Sequence, residues 1–350
     1  MRILQVNTEK TWRGGERQTL YTLEGLISQG IDCQLMALKN SLMHQRAIAM
    51  GISVIAVESM TDALKKLSNL KGEFDCIHAQ TGKSHTQCIL TKIFHRVPVI
   101  YTRRVNYIPS SFLSKLKYKY TDQVVSISNA ISKTLTSSGA SKNSPVIYSA
   151  VKHIDLNSDK ANQLIKDLKI DKHTKIIGII SAFELEKDIN IALKTINLLR
   201  KARNDFIVLH FGNGSLFQDV SDDIKSLDLI SIYYQMGHVD NVEDFYEIMD
   251  VFLMTSKEEG LGSVILDAFT YQVSVVSTNA GGLNDLVKDR GYLCDIGDAE
   301  CLSEGLDLAL NASSQSTKWK ASAKTYCDNE MGVDLMTSKY IALYQELING

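Results

Sequence analysis

The chain has 350 residues, of which 44% are hydrophobic and 22% are charged, and this composition excludes a disordered or fibrous protein. Its length exceeds what one hydrophobic core usually supports, so two domains are expected. The net charge of -2 hides an asymmetry, because residues 1–150 hold 19 Lys and Arg against 9 Asp and Glu, whereas residues 151–350 hold 19 against 31, so the two halves are expected to face different partners.

The chain begins with a short apolar run from Met1 to Asn7. This run is too short for a signal peptide, so we predict a buried strand and a cytoplasmic location. No segment approaches the roughly 18 apolar residues of a membrane span, which limits any membrane contact to a peripheral one. The six cysteines show no CxxC pair, and we expect them to be small buried side chains in a reducing compartment.

Short apolar runs then alternate with amphipathic segments, which predicts βα units around parallel sheets that are buried on both faces. In the first half the predicted strands are residues 2–7, 33–38, 54–57, 75–79, 98–102, 123–127 and 146–148. Between the first two, Leu20, Leu23 and Leu26 recur at helical spacing, and Gly30 stands where a helix C-cap glycine belongs.

The pattern starts again after a polar stretch at residues 152–174, with predicted strands at residues 175–181, 206–211, 231–236, 251–254, 273–278 and 291–294. We therefore place an N-terminal domain at residues 1–152 and a C-terminal domain at residues 153–332. A last amphipathic helix, at about residues 333–350, is expected to cross back to the N-terminal domain. The fold class is α/β, with two Rossmann-like domains facing across a cleft.

The turn after the first predicted strand combines two glycines with two arginines. Gly14 and Gly15 open the first helix, where backbone amides favour an anion, and Arg13 and Arg17 add positive charge. The pattern is not GxGxxG, which argues against a nicotinamide cofactor. We predict that a phosphate of the donor binds near this turn, and a plain strand-to-helix connection is the alternative.

The segment after the strand at 251–254 carries the most specific motif, a carboxylate followed by a Gly-x-Gly turn and a helix. Glu259 is expected in the loop over the ligand crevice, and Asp267, further along the helix, can face the same crevice. Backbone amides that point at a diphosphate are expected along the turn, at Gly260, Leu261, Gly262, Ser263 and Val264. In the alternative interpretation both carboxylates are solvated surface charges.

This block resembles the Glu-x7-Glu signature of the family-four retaining glycosyltransferases of the GT-B fold. Further matches follow in the family's order at Gly14-Gly15, Asp75-Cys76-Ile77-His78, Ser126-Ile127-Ser128-Asn129, Lys187, Gly212-Asn213-Gly214, Gly237-His238-Val239 and Gly281-Gly282. The resemblance implies an enzyme that transfers a sugar from a nucleotide-diphosphate donor, with retention of the anomeric configuration. It implies no cofactor and no metal ion.

The resemblance also implies roles for single residues. Glu259 would contact the hydroxyls of the transferred sugar and Lys187 would neutralise the diphosphate leaving group, as catalytic residues. Asp267 would hold the ribose. The remaining donor contacts that it implies are Gly212, Gly237, His238 and Val239, of which the last three would line the nucleotide base.

The sequence departs from the family at three positions. Ala182 stands where members often carry an Arg, Asp267 where they carry a Glu, and Gln80 where many carry a His. Gln80 can hydrogen-bond but cannot titrate near neutrality, so no general base is implied there. A non-catalytic paralogue that binds a nucleotide sugar, and a sugar-nucleotide epimerase on the same fold, remain as alternatives.

The acceptor is expected on the N-terminal domain, at His78, Gln80, Arg103 and Arg104, and a structural role is the alternative for His78, which lies nearer the strand. The two arginines follow a strand end and could hold a phosphate, as on a glycan or lipid-linked acceptor of bacterial surface polysaccharide or lipopolysaccharide synthesis. The basic, aromatic segment from Arg103 to Tyr120 predicts docking on an anionic membrane at the inner face of the plasma membrane. An ordinary amphipathic helix with solvated lysines is the alternative. No nucleic-acid partner is expected.

Overall fold

A computed structural model describes residues 1–107 and 111–349 of the chain. The chain forms two compact units. Unit 1 comprises Met1–Ala150 and Met331–Gly350, and unit 2 comprises Val151–Glu330. Each unit contains one six-stranded sheet whose paired strands are all parallel, as the alternation of apolar runs and amphipathic segments predicts.

Unit 1 carries the sheet order β3-β2-β1-β4-β5-β6. Its strands are β1 Arg2–Asn7, β2 Asp32–Leu38, β3 Val54–Val57, β4 Cys76–Ala79, β5 Val99–Arg103 and β6 Gln123–Ser126. Its helices are α1 Gly14–Ser28, α2 Leu42–Ala49, α3 Met60–Ser68, α4 Gly82–His95, α5 Phe112–Lys119, α6 Asn129–Ser137 and α14 Val333–Asn349. The chain order reverses between β1 and β4, so the loops after these two strands meet at one edge of the sheet.

The last helix, α14, belongs to unit 1 and packs on α1. Gly25 permits the close approach, because a Cβ at that position would lie 2.6 Å from Cγ2 of Thr337. Tyr340 and Tyr344 of α14 are almost fully buried in the same core as Leu23 of α1. The apolar side chains of α14 are therefore part of the unit 1 core.

Unit 2 carries the sheet order β12-β11-β10-β7-β8-β9. Its strands are β7 Lys175–Ile180, β8 Phe206–Phe211, β9 Tyr233–Gly237, β10 Val251–Met254, β11 Ser274–Thr278 and β12 Tyr292–Cys294. Its α-helices are α7 Ser158–Asp167, α8 Ile189–Ala202, α9 Phe217–Ser226, α10 Ser263–Thr270, α11 Leu283–Val287, α12 Ala299–Leu310 and α13 Ser314–Glu330. Two 3-10 helices, Leu185–Lys187 and Val242–Ile248, complete the unit.

The predicted strand at residues 146–148 is wrong. Val146 makes only an isolated parallel bridge to Ser126. The chain then leaves the sheet because Ala150 exchanges two hydrogen bonds with the side chain of Gln18 on α1, at 2.7 and 2.8 Å. A side chain that is distant in sequence therefore satisfies the backbone groups that a longer strand would have paired.

The expectation that all six cysteines are unpaired is also wrong. Cys294 and Cys301 form a disulfide that joins the end of β12 to the first turn of α12. The turn between them, capped by the Asp298 side chain, brings their Cα atoms to 5.8 Å, within the usual range for a disulfide. The other four, Cys33, Cys76, Cys88 and Cys327, are buried thiols as expected.

Within residues 1–107 and 111–349, no helix has the length and apolar character that crossing a bilayer requires.

Candidate active site

The candidate site lies at the point in unit 2 where the strand order reverses. β7 pairs with β10 on one side and with β8 on the other, so the loops that follow β7 and β10 leave the sheet side by side. Open parallel sheets bind ligands outside the carboxyl ends of the strands at such a switch point. The two loops carry Lys187 and Glu259.

Lys187 and Glu259 form an ion pair between these loops, through Nζ and Oε2. The Lys187 side chain is 19% exposed and the Glu259 side chain 16%, so the pair is partly shielded from water while both groups remain reachable. The hydroxyl of Ser256 also donates to Oε2 of Glu259, at 3.5 Å. The Glu259 carboxylate is thus held in place by the ammonium of Lys187 and the hydroxyl of Ser256.

Backbone contacts fix the two loops to each other. The amide of Lys257 donates to the carbonyl of Glu186 at 2.8 Å, and the hydroxyl of Thr255 donates to the carbonyl of Lys187 at 3.0 Å. The ammonium of Lys257 lies 3.2 Å from the buried carboxylate of Asp188. Asp188 and Ser256 were not among the predicted site residues, although Asp188 directly follows Lys187 and Ser256 lies three residues before Glu259.

A glycine turn after β11 packs against the Glu259 loop. The amide of Gly282 donates to the carbonyl of Glu259 at 3.2 Å, and a Cβ on Gly282 would lie 2.3 Å from the carbonyl oxygen of Gly260. Gly262, which caps α10, has φ +83 in the left-handed region, and a Cβ there would lie 2.4 Å from Leu283. These glycines therefore permit the backbone packing that sets the position of Glu259.

The start of α10 lies directly behind this loop. Leu261 is buried, whereas Ser263 and Val264 are half-buried at the first turn of the helix. Asp267 lies further along α10 and is 4% exposed. Its carboxylate is therefore more enclosed than we expect of a group that contacts the ribose. The helix N-terminus provides the backbone amides that favour an anion.

The loops after β8 and β9 lie on the other side of β7. A Cβ on Gly212 would lie 1.9 Å from the carbonyl oxygen of Ser181, and its amide donates to the carbonyl of Gly237 at 2.7 Å. Both glycines have positive φ. His238 is exposed and Val239 is half-buried, so the predicted base-lining residues are accessible at this edge.

His210 on β8 lies beneath these loops and was not predicted. Its ring nitrogens pair with Ser181 Oγ at 3.0 Å and with Tyr233 OH at 2.8 Å. Burial lowers the pKa of His210 to about 3, so the ring is neutral at physiological pH. It supports the loop after β7 from below and has no accessible nitrogen.

In unit 1, the turn at Gly14 and Gly15 that we predicted to bind a phosphate already contains a carboxyl group, that of Glu16. The Glu16 carboxylate accepts from the Arg13 amide at 2.9 Å, and burial, opposed by this hydrogen bond, raises its pKa. Arg13 and Gly14 are exposed, whereas Gly15 and Arg17 are half-buried. A Cβ on Gly15 would lie 3.3 Å from Cδ of Arg104.

Two predicted acceptor residues are interior hydrogen-bonding groups, which corrects that assignment. His78 is fully buried, and its ring nitrogens pair with Tyr344 OH and Thr102 Oγ1, both at 2.7 Å. Burial lowers its pKa to about 3. Gln80 is 1% exposed, and its amide group bonds to Gln5 at 2.8 Å.

Arg103 is likewise a structural residue. It is 2% exposed, and its guanidinium donates to the carbonyls of Val105 and Tyr107 and to the hydroxyl of Tyr118. It therefore orders the chain after β5 rather than presenting donors to an acceptor phosphate.

Arg104 is the predicted acceptor residue that remains. It is half-buried, and its Nη2 donates to Gln80 Oε1 at 2.7 Å. Its buried Nε has no hydrogen-bond partner in the part of the chain that the structure describes. Burial lowers the pKa of its guanidinium.

The predicted membrane segment is only partly described. Ile108, Pro109 and Ser110 lie outside the described residues. Lys115 and Lys119 on α5 are exposed, as are Leu113 and Tyr120. Lys117 instead donates to Thr86 Oγ1 on α4, at 3.1 Å.

Comparison with known proteins matches most of unit 2 to one family model. Residues 160–326 match the family model described as glycosyl transferases group 1. The O-antigen biosynthesis glycosyltransferase WclY of Escherichia coli is 24% identical over 307 residues, which cover 81% of this chain and 83% of the relative. The GalNAc-alpha-(1->4)-GalNAc-alpha-(1->3)-diNAcBac-PP-undecaprenol alpha-1,4-N-acetyl-D-galactosaminyltransferase of Campylobacter jejuni is 25% identical, over 54% of this chain and 53% of the relative.

The chain spans about half the length of other curated relatives that it matches, at 49% and 44%. Among solved structures, Anabaena Alr3699/HepE in complex with UDP and glucose superposes with a TM-score of 0.85 at 16% identity, over 99% of this chain and 100% of that chain. The chain has the GT-B fold.

Proposed function

We propose that this chain, whose residues 160–326 belong to the glycosyl transferases group 1, moves a sugar from a nucleotide-diphosphate donor onto a glycan or lipid-linked acceptor. The observation that carries the proposal is the Lys187–Glu259 pair at the switch point of the unit 2 sheet. A cation and a carboxylate on neighbouring loops match two adjacent parts of a nucleotide sugar, the anionic diphosphate and the sugar, which is rich in hydroxyl donors.

In this proposal the donor binds at the loops after β7, β8, β9 and β10. The Glu259 carboxylate accepts hydrogen bonds from the sugar hydroxyls, and Lys187 turns from Glu259 to the diphosphate. The amides at the start of α10 add to the positive potential around the phosphates. The UDP and glucose found with the Anabaena structure of the same fold support a nucleotide sugar as the donor class.

Transfer is proposed to occur with retention and without a protein nucleophile. The bond between the anomeric carbon and the diphosphate oxygen breaks, and the acceptor oxygen bonds to the same face of the sugar. The acceptor proton passes to the departing phosphate oxygen. Catalysis then rests on positioning and on stabilisation of a cationic sugar and an anionic diphosphate, for which the protein needs no cofactor and no metal ion.

The acceptor is proposed to bind unit 1, where Arg104 is the predicted phosphate contact that remains. The relative from Campylobacter acts on an undecaprenol-linked glycan, and the relative from Escherichia coli acts in O-antigen biosynthesis. Both support a role in bacterial surface polysaccharide or lipopolysaccharide synthesis. We place the protein in the cytoplasm, peripherally at the inner face of the plasma membrane, where a lipid-linked acceptor would be found.

Thermal unfolding in the presence of nucleotide sugars tests the donor half of this proposal. At a concentration of about 100 Kd, one ligand should stabilise the protein by about 2.7 kcal/mol. UDP-, GDP- and ADP-sugars should each be compared with the matching free sugar, which should have no effect. If no nucleotide sugar raises Tm, the donor assignment is wrong.

A non-catalytic paralogue would bind the donor equally well, and Ala182, Asp267 and Gln80 motivate that alternative. Release of nucleoside diphosphate distinguishes the two, because a paralogue binds the donor without turnover. An epimerase would convert the donor sugar in the absence of any acceptor.

A further inference from the structure

Helix α4 of unit 1 buries a mostly polar face and exposes apolar side chains, which is the reverse of an ordinary surface helix. Its buried side chains are mostly polar, and they are Ser84, His85, Gln87, Cys88, Thr91 and His95. Its exposed side chains include Leu90 at 62%, Ile93 at 74% and Phe94 at 61%. Surface helices usually bury the apolar stripe and expose the polar one, so this arrangement calls for a partner that covers the apolar side.

Interior contacts fix this orientation. The ring of His85 stacks on Tyr101 with 4.0 Å between centroids, and its Nε2 pairs with Thr121 Oγ1 at 2.6 Å. The ring of His95 accepts from the Val97 amide at 3.0 Å. Because the rings of His85 and His95 have these partners, a rotation of α4 that buried the apolar side chains would break these contacts.

The exposed side chains form one stripe. Leu90, Ile93 and Phe94 stand at positions i, i+3 and i+4, which face the same direction on a helix. α5 lies beside this stripe, since Lys117 of α5 donates to Oγ1 of Thr86 at 3.1 Å, and Thr86 is one helical turn before Leu90 on α4. The ring of Tyr120 and the side chain of Leu113 are themselves exposed, at 55% and 75%.

The charge around the stripe is mostly positive. Residues 76–121, which contain α4 and α5, include eight Lys and Arg and no Asp or Glu, and the next residue, Asp122, pairs with Lys92 of α4. Lys115 and Lys119 of α5 and Arg96 at the end of α4 are exposed. A protein partner would have to be acidic and apolar at once, whereas the headgroup and acyl boundary of an anionic bilayer has both properties.

We infer that Leu90, Ile93 and Phe94 of α4, together with Leu113, Lys115, Lys119 and Tyr120 of α5, form a membrane-docking surface that inserts into an anionic lipid bilayer. The inference rests on the membrane association included in the proposed function, and it adds the α4 stripe as the part that inserts. The membrane segment predicted from the sequence began at Arg103 and did not include α4. The basic side chains of α5 contact the headgroups while the α4 stripe reaches the acyl chains.

Sedimentation with lipid vesicles tests this surface. The full chain should bind vesicles of phosphatidylglycerol and phosphatidylethanolamine, and bind vesicles of phosphatidylcholine much more weakly. The double variant Ile93→Ser/Phe94→Ser should lower the partition coefficient on anionic vesicles by roughly tenfold or more, since it removes two large apolar side chains from the inserted face. Lys115→Ser/Lys119→Ser should lower it by a similar factor at low salt and by less at high salt.

Ile48→Ser/Met50→Ser is the matched control. Ile48 and Met50 are exposed apolar residues at the end of α2 in the same unit, at 56% and 43%, and lie outside the proposed surface. This control should bind vesicles like the unchanged chain. Because all the replaced side chains are exposed, every variant should keep its Tm within a few degrees.

Three results would overturn the inference. They are equal binding to anionic and neutral vesicles or to neither, unchanged binding of Ile93→Ser/Phe94→Ser, and a wild-type dimer in solution that this double variant converts to a monomer. Nucleotide-sugar turnover with a soluble acceptor is measured on the same samples. If turnover persists without vesicle binding, only the docking surface is wrong, and if vesicle binding persists without turnover, only the transferase proposal is wrong.

Discussion

Lys187 and Glu259 form an ion pair although 72 residues separate them in the chain. The contact arises because β7 and β10 are neighbours in the unit 2 sheet and both loops leave at the same edge. A bound diphosphate and sugar would divide this pair, with the cation going to the phosphate and the carboxylate to the hydroxyls. The ion pair therefore holds the Lys187 ammonium and the Glu259 carboxylate in position before the donor binds, so that donor binding spends little free energy on ordering them.

Replacement of Lys187 by Met should lower kcat/KM by about ten- to a hundredfold, because a charged hydrogen bond to the leaving group is lost. Lys225→Met is the control, since Lys225 is an exposed lysine of the same unit that pairs with the exposed Asp222. Its effect should stay within about threefold, as for a surface ion pair. Steady-state kinetics with both variants check this prediction, and equal losses for the two would argue against a specific role for Lys187.

Asp267→Asn should act mainly on donor affinity, raising KM by roughly tenfold while kcat changes little. The substitution keeps the size of a side chain that is 4% exposed, so Tm should be nearly unchanged. Donor KM and kcat measured side by side decide the matter. A fall in kcat at constant KM would contradict the proposed contact with the ribose.

Gly282→Ala should destabilise unit 2 and weaken catalysis together. The added Cβ would lie 2.3 Å from the carbonyl oxygen of Gly260, so the Glu259 loop must shift, at a cost of about 1–3 kcal/mol. In Gly332→Ala the new methyl group meets no atom within 4 Å, which makes it the matched control. Thermal unfolding and turnover of both variants test this prediction. A wild-type Tm for Gly282→Ala would contradict it, because it would show that the turn accommodates a Cβ.

Acidification should destabilise both units through their buried histidines. Burial lowers the pKa of His78 in unit 1 and of His210 in unit 2 to about 3, whereas an unfolded histidine has a pKa of about 6.5. Between these values the unfolded chain binds protons that the folded chain does not. The free energy of unfolding should therefore fall as pH drops from about 6.5 towards 3, by up to about 1.4 kcal/mol per pH unit for each ring.

Nuclear magnetic resonance of the histidine ring protons checks this directly. The signals of His78 and His210 should not titrate between pH 8 and pH 5 in the folded protein. An inflection near pH 6.5 for either ring would contradict its burial as a neutral group.

The sequence predicted the features that depend on local pattern. The β strand, Gly-x-Gly turn and helix around Glu259 were found because apolar runs, glycines and helical spacing are readable within about twenty residues. The Lys187–Glu259 contact could not be predicted in this way, because it depends on which strands become neighbours in the sheet. His78 and Gln80 were misassigned because their motif marks a strand end but does not show that the side chains turn inward to Tyr344 and Gln5.

The exposed stripe on α4 was missed for a related reason. Leu90, Ile93 and Phe94 at helical spacing indicate an amphipathic helix, and such a stripe normally faces the core. Only the structure shows His85 and His95 taking the inner positions. Likewise, Arg103 and Arg104 are indistinguishable in sequence, but one guanidinium is enclosed by Val105, Tyr107 and Tyr118 and the other is not.

The central claim is tested most directly by the release of nucleoside diphosphate from the nucleotide sugar that gives the largest thermal shift. The assay is run in EDTA, with and without a polyprenyl-diphosphate-linked glycan, for the unchanged chain, Glu259→Gln and the neighbouring exposed control Glu258→Gln. We predict acceptor-dependent release by the unchanged chain and by Glu258→Gln. Release by Glu259→Gln should be about ten- to a hundredfold slower at an unchanged Tm, because a charged contact with the sugar becomes a neutral one. A near-normal kcat for Glu259→Gln, or release that EDTA abolishes, would contradict the central claim.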